Sequence, residues 1–214
     1  MNKERGLPSL EDESIEVCIT DPPYGISYYS NYYKEDNPVG KIQNDDKILI
    51  EWIREISRIL YKNSALFMFS RWDVYPFFLE EIKKYFEYKN LLLWVKNNWS
   101  AGDLKGNFGN QYEVIIFATK GRYILKGNRH ANVFFAKRIN PTKYSHPTIK
   151  PVKLIKDILL ATRPDSVIDP FMGSGTTGYA SNILGIKWMG YEINKEYKKQ
   201  NEKRFNQSTI QKFL

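Results

Sequence analysis

Apolar positions along the chain follow two periods. Compact apolar runs rich in β-branched and aromatic residues lie at 15–20, 65–69, 91–95, 114–119, 166–169 and 187–191, bounded by Pro, Gly, Asn or charged residues, and read as buried strands. Between them the spacing changes to three and four residues. Leu49, Trp52, Ile53, Ile56, Ile59 and Leu60 predict a helix capped by Asp45 or Asp46, and Phe78, Ile82 and Phe86 predict a second, capped by Asp73. Val152, Ile155, Ile158 and Leu159 predict a third helix with Pro151 in its first turn; a fourth follows the turn at 173–177 and ends near Gly185; Asn194 caps a last, basic one. Strands alternating with helices at this spacing predict an α/β fold, a largely parallel sheet covered on both faces. The runs at 91–95 and 114–119, joined without a helix, would be antiparallel.

The remaining stretches lack either period. Residues 1–14 read as a polar lead-in without a strand, and 25–44, rich in Tyr, Asn and Gly, as a long mobile loop. The interval 120–144 reads as an insertion. No repeat or linker divides the 214 residues, so a single domain spanning 1–214 is expected.

Composition narrows the function. The net charge is +8, and nine Lys/Arg with no Asp/Glu fall between residues 120 and 153. Such a one-signed stretch favours phosphate backbones, which makes Arg122, Arg129, Lys137 and Arg138 candidates for nucleic-acid contact, joined by Tyr28, Tyr29 and Lys41 of the tyrosine-rich loop. One cysteine, Cys18, inside the first strand, and two histidines allow neither a disulfide nor a metal framework. No apolar run approaches a membrane span, and no secretory leader is recognisable; a cytoplasmic protein, associated with nucleic acid rather than with a membrane, is expected.

Two stretches carry candidate chemistry. The first strand stops at Asp21-Pro22-Pro23-Tyr24. Two prolines end both ladders and helices, so Asp21 is held at the strand's carboxyl end, where open α/β sheets bind ligands. Asp21 and the Pro22 carbonyl could accept the two hydrogens of a planar amine while Tyr24 covers its face; an Asp-Pro turn is the competing reading. The second stretch is Asp169-Pro170-Phe171-Met172-Gly173-Ser174-Gly175-Thr176-Thr177, followed after a helix and a strand by Glu192. Strand, Gly-rich turn, helix, strand and acid is the way doubly wound folds hold an adenosine-type cofactor. The glycine spacing fits neither a dinucleotide fingerprint nor a P-loop.

The strings DPPY, HPTIKP, DPFMGSGTT and GYE, in that order, resemble the beta-class amino-methyltransferases of DNA, which use S-adenosylmethionine. The resemblance covers nearly the whole chain. It implies a Rossmann-like methyltransferase fold in circularly permuted order, with seven strands of which one is antiparallel. It also implies that Asp21, Pro22, Pro23 and Tyr24 hold the target amine. Asp169, Phe171, Gly173, Ser174, Gly175 and Thr176 would surround the methionine part of the cofactor, Glu192 the ribose, and His146, Thr148 and Lys150 would line the pocket. Trp94 and Lys96 would lie near a flipped base, although Trp94 reads equally well as sheet core. Double-stranded DNA is the implied partner, with no metal and a homodimer as the implied assembly.

Two departures from the family pattern stand out. Residues 1–14 look too short and polar for the strand that usually precedes the catalytic one, which leaves a sheet one strand poorer or a truncated chain. The interval 120–144 is short for a separate recognition domain. An Asp at the start of the catalytic motif favours adenine-N6 over cytosine-N4 as the acceptor. RNA methylation and a catalytically silent nucleic-acid-binding subunit remain as rivals.

Overall fold

A computed structural model describes residues 6–25, 48–99, 105–139 and 149–210. Seven strands form one sheet: β1 (Ile15–Thr20), β2 (Leu60–Ser70), β3 (Glu87–Val95), β4 (Tyr112–Lys120), β5 (Val133–Phe135), β6 (Ser166–Asp169) and β7 (Lys187–Gly190). Their spatial order is β5-β3-β4-β2-β1-β6-β7. Only β4 runs against its neighbours, antiparallel to both β2 and β3. All other pairings are parallel. This is the mostly parallel sheet with one reversed strand expected from the sequence.

Five helices cover it: α1 (Glu51–Ile59), α2 (Tyr75–Ile82), α3 (Val152–Thr162), α4 (Thr176–Leu184) and α5 (Lys195–Ile210). Strand side chains alternate between two cores. Cys18, Leu66, Met68, Ile116 and Ile168 meet Trp52, Ile53 and Ile56 of α1 and Phe78 and Ile82 of α2. Val17, Ile19, Phe67, Ile115 and Val167 meet Leu154, Ile155, Ile158 and Leu159 of α3 and Ala180 of α4 on the other side. Each fully buried Leu, Ile or Phe contributes roughly 1.5–3 kcal/mol, so these stripes fix which face each helix covers.

Three local readings change. The first helix starts at Glu51 with no side-chain cap, and Asp45 and Asp46 lie outside the described residues. α2 also lacks a side-chain cap; Asp73 instead accepts two hydrogen bonds from the Arg71 guanidinium, at 3.0 and 2.6 Å. Part of the basic interval taken as an insertion belongs to the sheet, because Val133–Phe135 pairs with β3 and Phe134 and Ala136 are buried. At the amino end, Leu7–Ser9 form a single 3-10 turn, and the edge strands of the sheet are β5 and β7. Asn194 does cap α5, its Oδ1 accepting from the amides of Glu196 and Tyr197.

Candidate active site

The chain leaves β1 towards the face carrying α1 and leaves β6 towards the opposite face carrying α4. Two parallel neighbours whose connections diverge open a crevice at their carboxyl ends, the usual ligand position in such sheets. Asp21 follows β1 directly and Asp169 closes β6, so both carboxylates stand at this switch point.

Asp21 is deeply set, its side chain 25% exposed, and both of its oxygens are engaged. The Tyr24 hydroxyl donates to Oδ1, and the Lys150 ammonium donates to Oδ2 at 2.5 Å. Lys150 also lies 3.2 Å from Glu113 Oε2, and Lys96 lies 2.7 Å from Glu113 Oε1. Two carboxylates and two ammoniums thus alternate along one row, with Lys150 buried and the other three half-buried. Reversal of β4 explains Glu113: the strand's beginning, rather than its end, lies at the carboxyl edge of its neighbours, opposite Trp94. Lys150 rests over the Phe69 ring and Lys96 over that of Trp94, at 5.2 and 5.0 Å from the centroids.

Burial pushes the Asp21 carboxyl up, Lys150 draws it down and Glu113 pushes it up again, leaving it above the ordinary carboxylate range. Glu113 is also penalised by burial, but Lys150 and Lys96 pull it below its usual value. Burial lowers Lys150, yet Asp21 and Glu113 more than reverse this, so it stays charged. Desolvation, then Asp21, push the Tyr24 phenol well up, keeping it a donor.

The second half of the crevice is built on the Gly-rich turn. Gly173 and Gly175 take left-handed φ of 50° and 71°, which lets the chain reverse between β6 and α4. A side chain at Gly175 would also collide with Asn201 and Phe205 of α5. Asn201 donates to the Gly173 carbonyl and Arg204 to that of Ser174, at 2.8 and 2.6 Å, so α5 clamps the turn from behind. Glu192 accepts from the amides of Gly173 and Asn194 at 2.8 and 2.7 Å, which brings it onto the same turn. Ser174 and Thr176 share a 3.1 Å hydroxyl contact, and the Phe171 ring meets Trp52 edge-on. Asp169 is raised to about 7 by burial, against the Thr177 hydroxyl, the Phe171 amide and the Thr20 hydroxyl, which favour its ionised form.

Other sequence candidates separate. Lys137 and Arg138 follow β5 at the same edge as Asp21, Arg138 through its amide on Asn97. Arg122 and Arg129 lie at the opposite edge: the Arg122 amide bonds Asn63 near the start of β2, and Arg129 precedes β5. Trp94 is core, its indole donating to the Ala136 carbonyl at 2.9 Å. Tyr28, Tyr29, Lys41, His146 and Thr148 lie outside the described residues. A cleft of about 600 Å³ between β3, β4 and the end of α3, lined by Phe67, Phe117, Phe134 and His130, is on the α3 face and away from Asp21. Glu113 escaped the sequence reading; a lone acid opening an apolar strand was its only signal.

A carboxylate at one strand end beside a Gly-rich turn at the next is the arrangement in which doubly wound α/β folds place their ligands. Residues 15–203 match the family model N6_N4_Mtase, described as DNA methylase, and the chain belongs to that family. It is 28% identical to the DNA adenine methyltransferase YhdJ of Escherichia coli K12, over 94% of this chain and 79% of that protein. It is 27% identical to the type II methyltransferase M2.DpnII of Streptococcus pneumoniae, over 92% and 85%. Among solved structures, M1.HpyAVI in complex with SAM superposes with a TM-score of 0.71 at 25% identity, covering 92% of this chain and 90% of that one. The cytosine-N4-specific PvuII methyltransferase, 17% identical, shares the fold with a TM-score of 0.70 over 95% and 86%.

Proposed function

We propose that the protein transfers a methyl group from S-adenosylmethionine to the N6 amine of adenine in double-stranded DNA. The observation that carries this reading is the pairing of Asp21 and Asp169 at adjoining strand ends, one in the amine motif and one in the cofactor turn. Family membership and the adenine specificity named for the Escherichia coli relative support it.

The residues present fit the cofactor by their chemistry. S-adenosylmethionine carries a sulfonium and an ammonium, and Asp169 and Glu192 place carboxylates around a turn whose backbone is free of side chains at Gly173 and Gly175. Asp169, Phe171, Gly173, Ser174, Gly175 and Thr176 would hold the methionine part and Glu192 the ribose hydroxyls. When bound, the cofactor supplies an electrophilic methyl group on a positively charged sulfur.

The acceptor is the weaker partner, because the lone pair of an exocyclic amine is delocalised into the ring. Each carboxylate oxygen has two acceptor sites. Asp21 therefore keeps capacity for an amine N–H beside Tyr24 and Lys150, and the Pro22 carbonyl takes the second hydrogen. Holding both hydrogens favours a tetrahedral nitrogen with its lone pair aimed across the crevice towards the Asp169 side. As the nitrogen–carbon bond formed and the methyl–sulfur bond broke, leaving a neutral thioether, the nitrogen would shed a proton, and Asp21 is the carboxylate placed to receive it. Rate enhancement comes from orientation and preorganised acceptors. A base stacked in a duplex cannot reach a group set this deeply, so the adenine leaves the stack. Lys137 and Arg138 follow β5 at the same carboxyl edge of the sheet, along which the DNA backbone would pass, with β3, β4 and β2 between them and the crevice.

The test is transfer of labelled methyl to duplex DNA, with RNA in parallel and Asp21→Ala as control. Label is expected in N6-methyladenine after digestion to nucleosides, and the variant is expected to lose at least about a hundredfold, the scale of removing one preorganised group. Label in N4-methylcytosine would reassign the acceptor, and cofactor binding without transfer to any nucleic acid would overturn the reading.

A further inference from the structure

Burial at Asp21 penalises the ionised carboxylate, and a protonated carboxyl offers the amine one acceptor fewer. Among the described residues, the titratable groups around it come from five places: Lys150 just before α3, Glu113 at the start of β4, Tyr24, Asp169 at the end of β6, and Arg71 after β2, which acts on Tyr24. Lys96 stands behind Glu113. Among the described residues, only Lys150 brings a positive charge directly onto Asp21.

We infer that Lys150 is the positioning residue of the transfer: its ammonium holds the Asp21 carboxylate ionised and in one rotamer, while Glu113, itself anchored by Lys96, holds Lys150. The geometry explains each member. Without Glu113 the lysine would have only one partner in a site where its side chain is 10% exposed, and without Lys96 Glu113 would add a second negative charge beside Asp21. The four charges cancel as a set, so the row delivers a single usable carboxylate without leaving a buried net charge. For its kinetic consequence the inference rests on the methyl-transfer reading; its charge chemistry stands independently.

The decisive variants are Lys150→Met, Lys150→Arg and Glu113→Gln, checked for folding by their melting midpoints. Carbon-13 titration of the Asp21 carboxyl reads the charge chemistry without activity, and the acid limb of the kcat profile reads its use. In Lys150→Met the Asp21 midpoint and the acid limb are expected to rise together by about one pH unit or more, with kcat at pH 7 down about tenfold. Lys150→Arg restores the limb. Glu113→Gln moves the midpoint the other way, downward, because Glu113 raises Asp21. A lysine that merely braces the fold changes stability and leaves both midpoints in place, and that result in a folded variant overturns the inference. Should Lys150→Met not fold, Lys150→Gln, which keeps a polar head but no charge, is read in its place, and an unmoved Asp21 midpoint overturns the inference equally. An inert wild-type enzyme would refute methyl transfer, while the carboxyl titration still decides the role of Lys150.

Discussion

Asp169 shows how one buried side chain ties the Gly-rich turn to stability. Its carboxyl titrates at about 7 in the fold against 3.8 in the open chain, because burial penalises its charge. Between those values the folded protein binds a proton that the unfolded chain does not, so this contribution to stability is complete below about pH 4 and is lost as pH rises through about 7. Each pH unit in that window is worth at most about 1.4 kcal/mol. Urea unfolding at pH 5 and pH 8 is expected to show a smaller fall for Asp169→Asn than for the wild type, and equal falls would refute the assignment. At this scale the sequence exposes whatever is local. Asp21 is marked by the prolines that stop its strand, and the turn by glycines that must take positive φ. Lys150 and Glu113 carry no such mark, because their meaning lies in partners distant in sequence. Lys150, read as part of a cofactor-lining motif, is bonded to Asp21 across the fold.

Among the elements, β5 is the one that periodicity does not reveal. Three residues, Val133–Phe135, are too few for an alternation to register, and the flanking basic residues make the segment look solvated. Its burial is supplied by tertiary contact: Phe134 stacks on His130 at 4.4 Å, and the Trp94 indole reaches the Ala136 carbonyl. Phe134→Ala is therefore expected to cost about 3–5 kcal/mol in urea unfolding, as for a core aromatic. A loss below about 0.5 kcal/mol, as at an ordinary surface position, would show the segment to be a dispensable insertion. The longer elements were legible because their faces are long enough to declare a period. Of the stripes read from their spacing, α1 buries Trp52, Ile53, Ile56 and Ile59 and α3 buries Ile155, Ile158 and Leu159, while Leu49 and Val152 are half-buried and Leu60 opens β2; the Asn194 cap and the Gly185 terminus stand where local chemistry puts them. Helix starts failed where the expected cap, as with Asp73, found a stronger partner in a guanidinium.

Over the whole molecule, the basic charge that first pointed to nucleic acid is divided between two edges of the sheet. Lys137 and Arg138 share the edge of Asp21, whereas Arg122 and Arg129 lie at the other. Net charge alone gives no direction, and only the course of β4 and β5 sorts these residues. The double variant Lys137→Ala, Arg138→Ala is expected to reduce the salt dependence of DNA binding, the slope of log K against log salt, by roughly 0.9 per lost phosphate contact. The pair Arg122→Ala, Arg129→Ala should leave the slope unchanged; fluorescence anisotropy of labelled duplex across a salt series measures both. The reverse pattern would place the DNA on the far edge.

The bond between Asp21 and Lys150 joins residues 129 positions apart in sequence. Contacts of that separation close late, after the entropy of the intervening loop has been met. During synthesis the amine motif emerges early, with its carboxylate unaccompanied, and the lysine follows only after five of the seven strands have been made. Chemical competence therefore marks the end of assembly: a half-folded chain can own the motif without owning the reagent.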